Sequence, residues 1–320
     1  MISIFVLLLW RSCSWKSNAS LPHPLIKTIK ARAFAKVNLG LKVLGKRPDG
    51  YHEIRTIYQT VGLADFLQAG ISPRESETSL ECDHPELSSG RENLVYRAAE
   101  FWRRASGFKG GIRLRLEKHI PMGAGLGGGS SDAAVTLLML EQLTGNRLGF
   151  AELARMAAQL GSDVPLFLMG GRVLGCGRGE EIYPLTDLPA RSCLIAFPGF
   201  SVPTAEAYAA LDSRLTQGDE TRRMSSLGKR SPFPLEDWGP AENDFESFVF
   251  ARWPELARVK GQLIRAGAET ASLTGSGSAL FAVFASAQQL NRGASRIPSK
   301  WKVFKVPTLS RSMYRRRLYI

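Results

Sequence analysis

Residues 30–43, Lys-Ala-Arg-Ala-Phe-Ala-Lys-Val-Asn-Leu-Gly-Leu-Lys-Val, alternate apolar and polar positions as a strand does, and 51–61 reads as a second strand. Pro48-Asp49-Gly50 between them is a turn signal, so the pair forms a hairpin with a longer loop. A short strand is expected over 65–70 and a polar, turn-rich loop over 71–90. Leu94, Val95, Ala98, Phe101 and Trp102 recur at helical spacing over 93–104, with the aromatic rings in the core. Ile112, Leu114 and Leu116 alternate with Arg113, Arg115 and Glu117, a half-exposed strand. Helices follow over 133–143 and 150–160, then a strand with a glycine-rich turn over 172–179. Prolines 184 and 189 bracket a boundary loop, and 193–197 is a strand of the fully buried type. Pro203-Thr204 opens a helix, 216–239 is a polar loop, and further helices begin at 242–246 and run over 254–267. A Gly/Ser loop and a hydrophobic strand fill 271–284, and 302–306 closes the chain's pattern as a strand.

Two breaks in that pattern carry chemistry. The first is Pro121-Met122-Gly123-Ala124-Gly125-Leu126-Gly127-Gly128-Gly129-Ser130-Ser131-Asp132, set between a strand and a helix. Glycine lacks a Cβ, so backbone N–H groups there can approach a ligand closely. A helix N-terminus adds unpaired N–H donors and the positive end of a dipole, which together favour a phosphate. Ser130, Ser131 and Asp132 offer N-cap oxygens where the helix is expected to begin. No Lys follows the glycines, which excludes a Walker A loop. The second break is Gly161-Ser162-Asp163-Val164-Pro165, followed by an apolar run and the pair Gly170-Gly171. Asp163 there either caps a helix or turn, or belongs to a tight, partly buried site. Lys36 and Asn38 share a strand face, and Lys36 sits among residues that read as buried.

Composition narrows the partners. The 320 residues are 44% hydrophobic, enough for a sizeable core and two domains. The net charge of +13 is confined to the ends: residues 1–30 carry four Lys/Arg and 292–320 carry nine, neither segment has an acid, and the remainder balances. A nucleic-acid-binding face across the fold is therefore not expected, and the terminal charge reads as a solvated face or an unstructured end. Four scattered cysteines and four scattered histidines give no metal-ligand spacing and no disulfide framework, so no protein metal site and a reducing, cytoplasmic setting are expected. The apolar run over 2–10 is too short to span a bilayer and has no positive charge before it, so residues 1–27 are expected to lie outside the fold rather than address a membrane.

The string Pro121 to Asp132 resembles the phosphate loop of the GHMP small-molecule kinases. Phe34-Ala-Lys-Val-Asn-Leu and Leu273-Thr-Gly-Ser-Gly-Ser resemble that family's other two motifs, in the same order. Pro48-Asp-Gly-Tyr-His-Glu53 and Gly161-Ser-Asp-Val-Pro165 are similar to the branch acting on the 2-hydroxyl of 4-diphosphocytidyl-2-C-methyl-D-erythritol, in the non-mevalonate isoprenoid pathway. The former segment separates it from homoserine and mevalonate kinases. The resemblance implies an α+β, two-domain GHMP kinase fold. An N-terminal ribosomal-protein-S5-like domain (28–184) with a left-handed βαβ-like crossover and a C-terminal ferredoxin-like domain (185–320) would enclose the active site in the cleft between them. It implies ATP and Mg²⁺, with the phosphates on 121–131. Asp163 matches the general base and Lys36 the charge stabiliser, while Asn38, Tyr51, His52 and Tyr208 match the pocket for the cytidine end. A monomer or weak homodimer is expected. A dinucleotide-binding dehydrogenase could use Gly123-x-Gly125-x-x-Gly128, but it needs an acidic residue about twenty positions on at the end of a second strand, and the region near 148 is a loop before a helix.

Overall fold

The computed structural model describes residues 27–145, 147–215, 238 and 241–320. The apolar run over 2–10 and, apart from Trp238, the loop expected over 216–239 lie outside the described residues.

The first sheet is built on one long hairpin. β1 (Lys27–Lys46) pairs antiparallel with β2 (His52–Ser72) along nearly its whole length. The strands expected over 51–61 and 65–70 are one continuous strand, β2. Gly62 within it lies against Pro307, where an added Cβ would come within 2.8 Å of the proline ring, so the glycine serves close packing. β2 then pairs antiparallel with β4 (Gly111–Glu117) through its C-terminal part and with β5 (Arg172–Cys176) through its N-terminal part. β6 (Glu181–Pro184) continues from β5. The segment expected as loop over 71–90 contains an edge strand, β3 (Thr78–Cys82), parallel to β4. It is five residues long with polar residues at 79 and 81, too short and too polar to stand out by periodicity.

Helix α1 (Leu94–Ser106) makes the crossover from β3 to β4, giving a parallel βαβ unit. It starts on Asn93, whose side chain accepts from the Val95 N–H at 2.9 Å, and stops at Gly107 with φ 66°. α2 (Gly128–Thr144), α3 (Phe150–Leu160) and α4 (Val164–Met169) cover the same sheet face. α2 is buried nearly all round, hence its near-continuous Ala, Val, Leu and Met.

The second sheet has the order β10-β7-β9-β8, with β7 (Ser192–Phe197), β8 (Thr270–Leu273), β9 (Leu280–Phe284) and β10 (Lys302–Pro307) antiparallel throughout. α5 (Thr204–Leu215), α6 (Glu246–Arg252) and α7 (Pro254–Arg265) lie between β7 and β8, and α8 (Ala287–Ala294) between β9 and β10. This is the β-α-β-β-α-β ferredoxin-like arrangement. Leu194, Leu280, Ala282 and Phe284 face its helices, whereas Cys193, Ile195, Phe281 and Val283 face the first sheet, meeting Ala35, Val37, Leu39 and Ile57. Burial on both faces explains why β7 and β9 read as continuous apolar runs.

After β10 the chain returns to the first unit as α9 (Arg311–Leu318). Tyr314 and Leu318 enter the first core, and Arg315, Arg316 and Arg317 stay exposed, so this part of the basic end is the solvated face of a packed helix.

Candidate active site

The glycine stretch divides into a loop and a helix start. Residues Pro121 to Gly127 form the loop, and Gly128 begins α2 with Gly127 as its N-cap. The cap expected at Ser130–Asp132 is absent: the Ser131 N–H already donates to the Gly127 carbonyl at 2.9 Å, and the Ser131 and Asp132 side chains are buried. Gly127 can begin the helix three to five residues earlier because its φ of 71° suits glycine. Gly123 and Gly125, at φ 62° and 78°, share that requirement, and packing adds another. A Cβ on Gly125 would collide with the Thr274 carbonyl, and one on Gly127 would come within 3.0 Å of both Lys36 and Phe167. The loop is tied to β1 by the Lys36 N–H donating to Leu126 O at 3.0 Å, and to the third motif by Thr274 Oγ1 donating to Gly125 O at 3.0 Å. Pro121, Met122, Ala124 and Leu126 therefore shape the loop, while the first-turn N–H groups of Gly128, Gly129 and Ser130 lack intrahelical partners.

A buried cluster missed by sequence reasoning braces the loop from behind. Lys118 Nζ donates to Asp132 Oδ2 at 2.7 Å and to Asp65 Oδ2, and Asp65 Oδ1 accepts from the His119 N–H at 2.5 Å and the Ile120 N–H at 2.8 Å. Burial by itself would lower the Lys118 ammonium, but the two carboxylates outweigh it and hold it above its usual value. Burial, and then the Asp65 charge, push the Asp132 carboxyl well above the usual carboxylate range. Nothing local in the sequence joins positions 65, 118 and 132.

Lys36 and Asp163 meet at the mouth of the loop, with Nζ 3.2 Å from Oδ2. Lys36 is 4% exposed in its side chain and Asp163 28%, so the carboxylate remains reachable. Asp163 occupies the N-cap position of α4 but makes no capping hydrogen bond. Its Oδ1 instead accepts from Tyr58 Oη at 2.9 Å. Burial, followed by the Asp163 charge, raises the Tyr58 phenol well above its usual value, so it stays a donor. Asn38 lies beside Lys36 as the shared strand face requires. Its Oδ1 accepts from Lys36 Nζ at 2.8 Å, Thr274 Oγ1 at 3.2 Å and the Gly275 N–H at 2.8 Å, and its Nδ2 donates to Thr56 Oγ1 at 2.7 Å. Asn38 thus lines the cleft with its amide engaged by protein groups.

The cleft extends from Lys36, Gly125 and Asp163 to Tyr51, His52 and Tyr208, with a volume of about 640 Å³. The His52 and Tyr208 rings stack at 4.4 Å and 20°, and the Phe245 ring meets Tyr208 at right angles at 4.9 Å. Burial, with the Asp163 charge, pushes the Tyr208 phenol up to about 12. Tyr51 is on the rim, 54% exposed, with the Arg178 guanidinium 4.7 Å from its ring centre. Tyr58, Arg178 and Asp212 are cleft residues that the sequence reading did not single out. Two had a signal: Tyr58 stands an even number of residues from His52 along one strand, and Asp212 is one helical turn after Tyr208.

Two sheets in this arrangement, with a glycine loop at a helix start and a Lys–Asp pair beside it, define a small-molecule kinase site. Residues 93–171 match the family model for the GHMP kinases N terminal domain and 235–303 that for GHMP kinases C terminal. The chain belongs to the GHMP kinases. Over 289 residues, 89% of this chain and 90% of the relative, it is 45% identical to 4-diphosphocytidyl-2-C-methyl-D-erythritol kinase from Solibacter usitatus. The crystal structure of a 4-(cytidine 5'-diphospho)-2C-methyl-D-erythritol kinase superposes with a TM-score of 0.69 at 36% identity, covering 88% of this chain and 99% of that one. Homoserine kinase from Cytophaga hutchinsonii, at 19% identity and a TM-score of 0.71 over 91% of this chain and 98% of its own, shares the fold. No helix among the described residues is long and apolar enough to cross a membrane.

Proposed function

We propose that this chain transfers the γ-phosphoryl group of ATP to the 2-hydroxyl of 4-diphosphocytidyl-2-C-methyl-D-erythritol, a step of isoprenoid precursor biosynthesis. The observation that carries the reading is the Lys36–Asp163 pair, 3.2 Å apart, at the junction of the glycine loop and the aromatic pocket. An attacking alcohol must lose its proton as the bond to phosphorus forms, and the half-buried Asp163 carboxylate accepts it. Tyr58 on Oδ1 leaves Oδ2, beside Lys36, to take that proton. Lys36 holds the developing alkoxide charge, and the loop N–H groups with the start of α2 hold the phosphates. Tyr51, His52 and Tyr208 take the cytosine, and Arg178, whose guanidinium is 4.7 Å from the Tyr51 ring centre, is a cation for the substrate's diphosphate.

The residues at the start of α2 fit Mg²⁺ delivered with ATP. Ser131 Oγ is a buried oxygen without a hydrogen-bond partner, and hard oxygen donors are what that ion takes. No three His, Cys, Asp or Glu among the described residues are grouped to hold a metal, which suits an ion carried by phosphates and one or two protein oxygens. Bound there, Mg²⁺ would offset phosphate charge. The same reading takes 28–184 and 185–320 as the two units, with residues 308–320 returning to the first; Lys27, expected outside the fold, is the first residue of β1. It takes the protein as a cytoplasmic monomer or weak homodimer that engages neither nucleic acid nor membrane.

ATP consumption measured with this substrate against homoserine and mevalonate tests the reading; turnover of either of the latter in preference would end it. Asp163→Asn and Lys36→Ala should each lower kcat by roughly 10²–10⁴ with modest changes in KM. The double variant should be little worse than the poorer single one, because groups serving one transition state are not additive. A folded Asp163→Asn enzyme turning over at the parent rate would remove the base assignment.

A further inference from the structure

The aromatic pocket is completed by a carboxylate whose partners come from the opposite side of the cleft. Asp212 is on α5, in the second unit, one turn after Tyr208. Its Oδ1 is 2.6 Å from His52 Nε2 and its Oδ2 3.6 Å from Lys46 Nζ, both at the end of the β1–β2 hairpin. Tyr208 covers the face of the same imidazole at 4.4 Å. Residues i and i+4 of one helix therefore hold His52 by its ring face and by one ring nitrogen.

That contact decides which nitrogen carries the proton. The hydrogen bond from His52 keeps the Asp212 carboxyl below its usual value, so it is ionised and can only accept. His52 Nε2 must then be the donor, and in the neutral ring Nδ1 is left with a lone pair. Nδ1 has no hydrogen-bond partner among the described residues, and His52 lines the cleft. An acceptor at this position matches an exocyclic amine, which cytosine has, and opposes a carbonyl oxygen, which uracil has in its place.

We infer that Asp212 is a positioning residue that makes the pocket select cytosine over uracil, by joining α5 to the hairpin and holding His52 as an Nδ1 acceptor. This rests on the functional reading above for the identity of the base, and deepens it. It also gives the hairpin tip and α5 a shared function that neither has alone.

Calorimetry with CDP and with UDP, alongside steady-state kinetics, tests it. The parent protein should bind CDP about tenfold more tightly than UDP, the size of one good hydrogen bond. Asp212→Ala and Asp212→Leu, neither of which offers Nε2 an acceptor, should bring that ratio towards one. They should raise KM for the diphosphocytidyl substrate roughly tenfold and leave kcat and KM for ATP within about twofold. Asp212→Glu, which keeps the carboxylate, should retain the preference for CDP. A role in folding alone would lower the melting temperature and leave the CDP-to-UDP ratio unchanged, and that result in folded Asp212→Leu protein overturns the inference. If the parent protein failed to phosphorylate the substrate, the functional reading would fall, while the CDP-to-UDP ratio would still decide the role of Asp212.

Discussion

Asp132 belongs to a buried cluster with two carboxyl groups and one ammonium. It shares one ammonium, Lys118, with Asp65, and all three are buried. Its carboxyl is raised well above the usual range by burial and by Asp65, so the folded state binds a proton there more strongly than the unfolded chain does. The stabilising contribution is therefore complete below the ordinary carboxylate value, near pH 4, and is lost as pH rises towards the raised one. Asp132→Asn removes the titration and keeps the shape. Its melting temperature should match the parent's at pH 4 and exceed it at pH 8 by about 2 °C, roughly what 1 kcal/mol is worth in a chain of this size. Equal melting curves across that pH range would show that the Asp132 charge is balanced.

Within the glycine run, position decides what substitution does. Gly125 has φ 78° and faces the Thr274 carbonyl with no room for a Cβ, whereas Gly129 is in the first turn of α2, where a Cβ would meet only Leu94 at an ordinary 3.6 Å. Gly125→Ala should weaken ATP binding tenfold or more and lower the melting temperature, since it forces the loop off the third motif. Gly129→Ala should leave the melting temperature unchanged or raise it, alanine being favoured over glycine in a helix by up to about 1 kcal/mol. Calorimetry with ATP and thermal melts on both variants check the contrast. α9 shows the same dependence on place: Tyr314 packs on Gly170 and its hydroxyl donates to the Phe167 carbonyl at 2.5 Å, so the last helix braces the short helix that follows Asp163.

Asn38 connects the two units. With its oxygen accepting from Lys36, Thr274 and Gly275 at once, it holds the ammonium and the third motif in one arrangement. Asn38→Ala leaves the Gly275 N–H without its acceptor, while Lys36 keeps Asp163 and Thr274 keeps the Gly125 carbonyl, a cost of about 1–3 kcal/mol. Both kcat and melting temperature should fall, and a variant with reduced kcat but parental stability would show that Asn38 serves the ligand alone. Asn243 repeats the device, its Nδ2 donating to Leu273 O and Gly275 O at 2.9 Å each.

Local physics determined a good part of this protein from its sequence. Alternation exposed β1, the beginning of β2 and β4; helical spacing exposed α1, α3 and α7; and five glycines between a strand and a helix exposed the anion loop. Lys36 and Asn38 could be placed on one face because a strand has period two. The tertiary structure alone decided where α2 begins, because the left-handed turn at Gly127 is set by Lys36 and Phe167 closing on it. It decided that β2 continues past Gly62, because Pro307 packs there. It decided the partnerships of Lys118 with Asp65 and Asp132, of Tyr58 with Asp163, and of His52 with Asp212, which join residues 14 to 160 positions apart. Side-chain periodicity reports which face a residue occupies within its own element; which charge meets which across a cleft depends on how the elements pack, and no short window of sequence contains that.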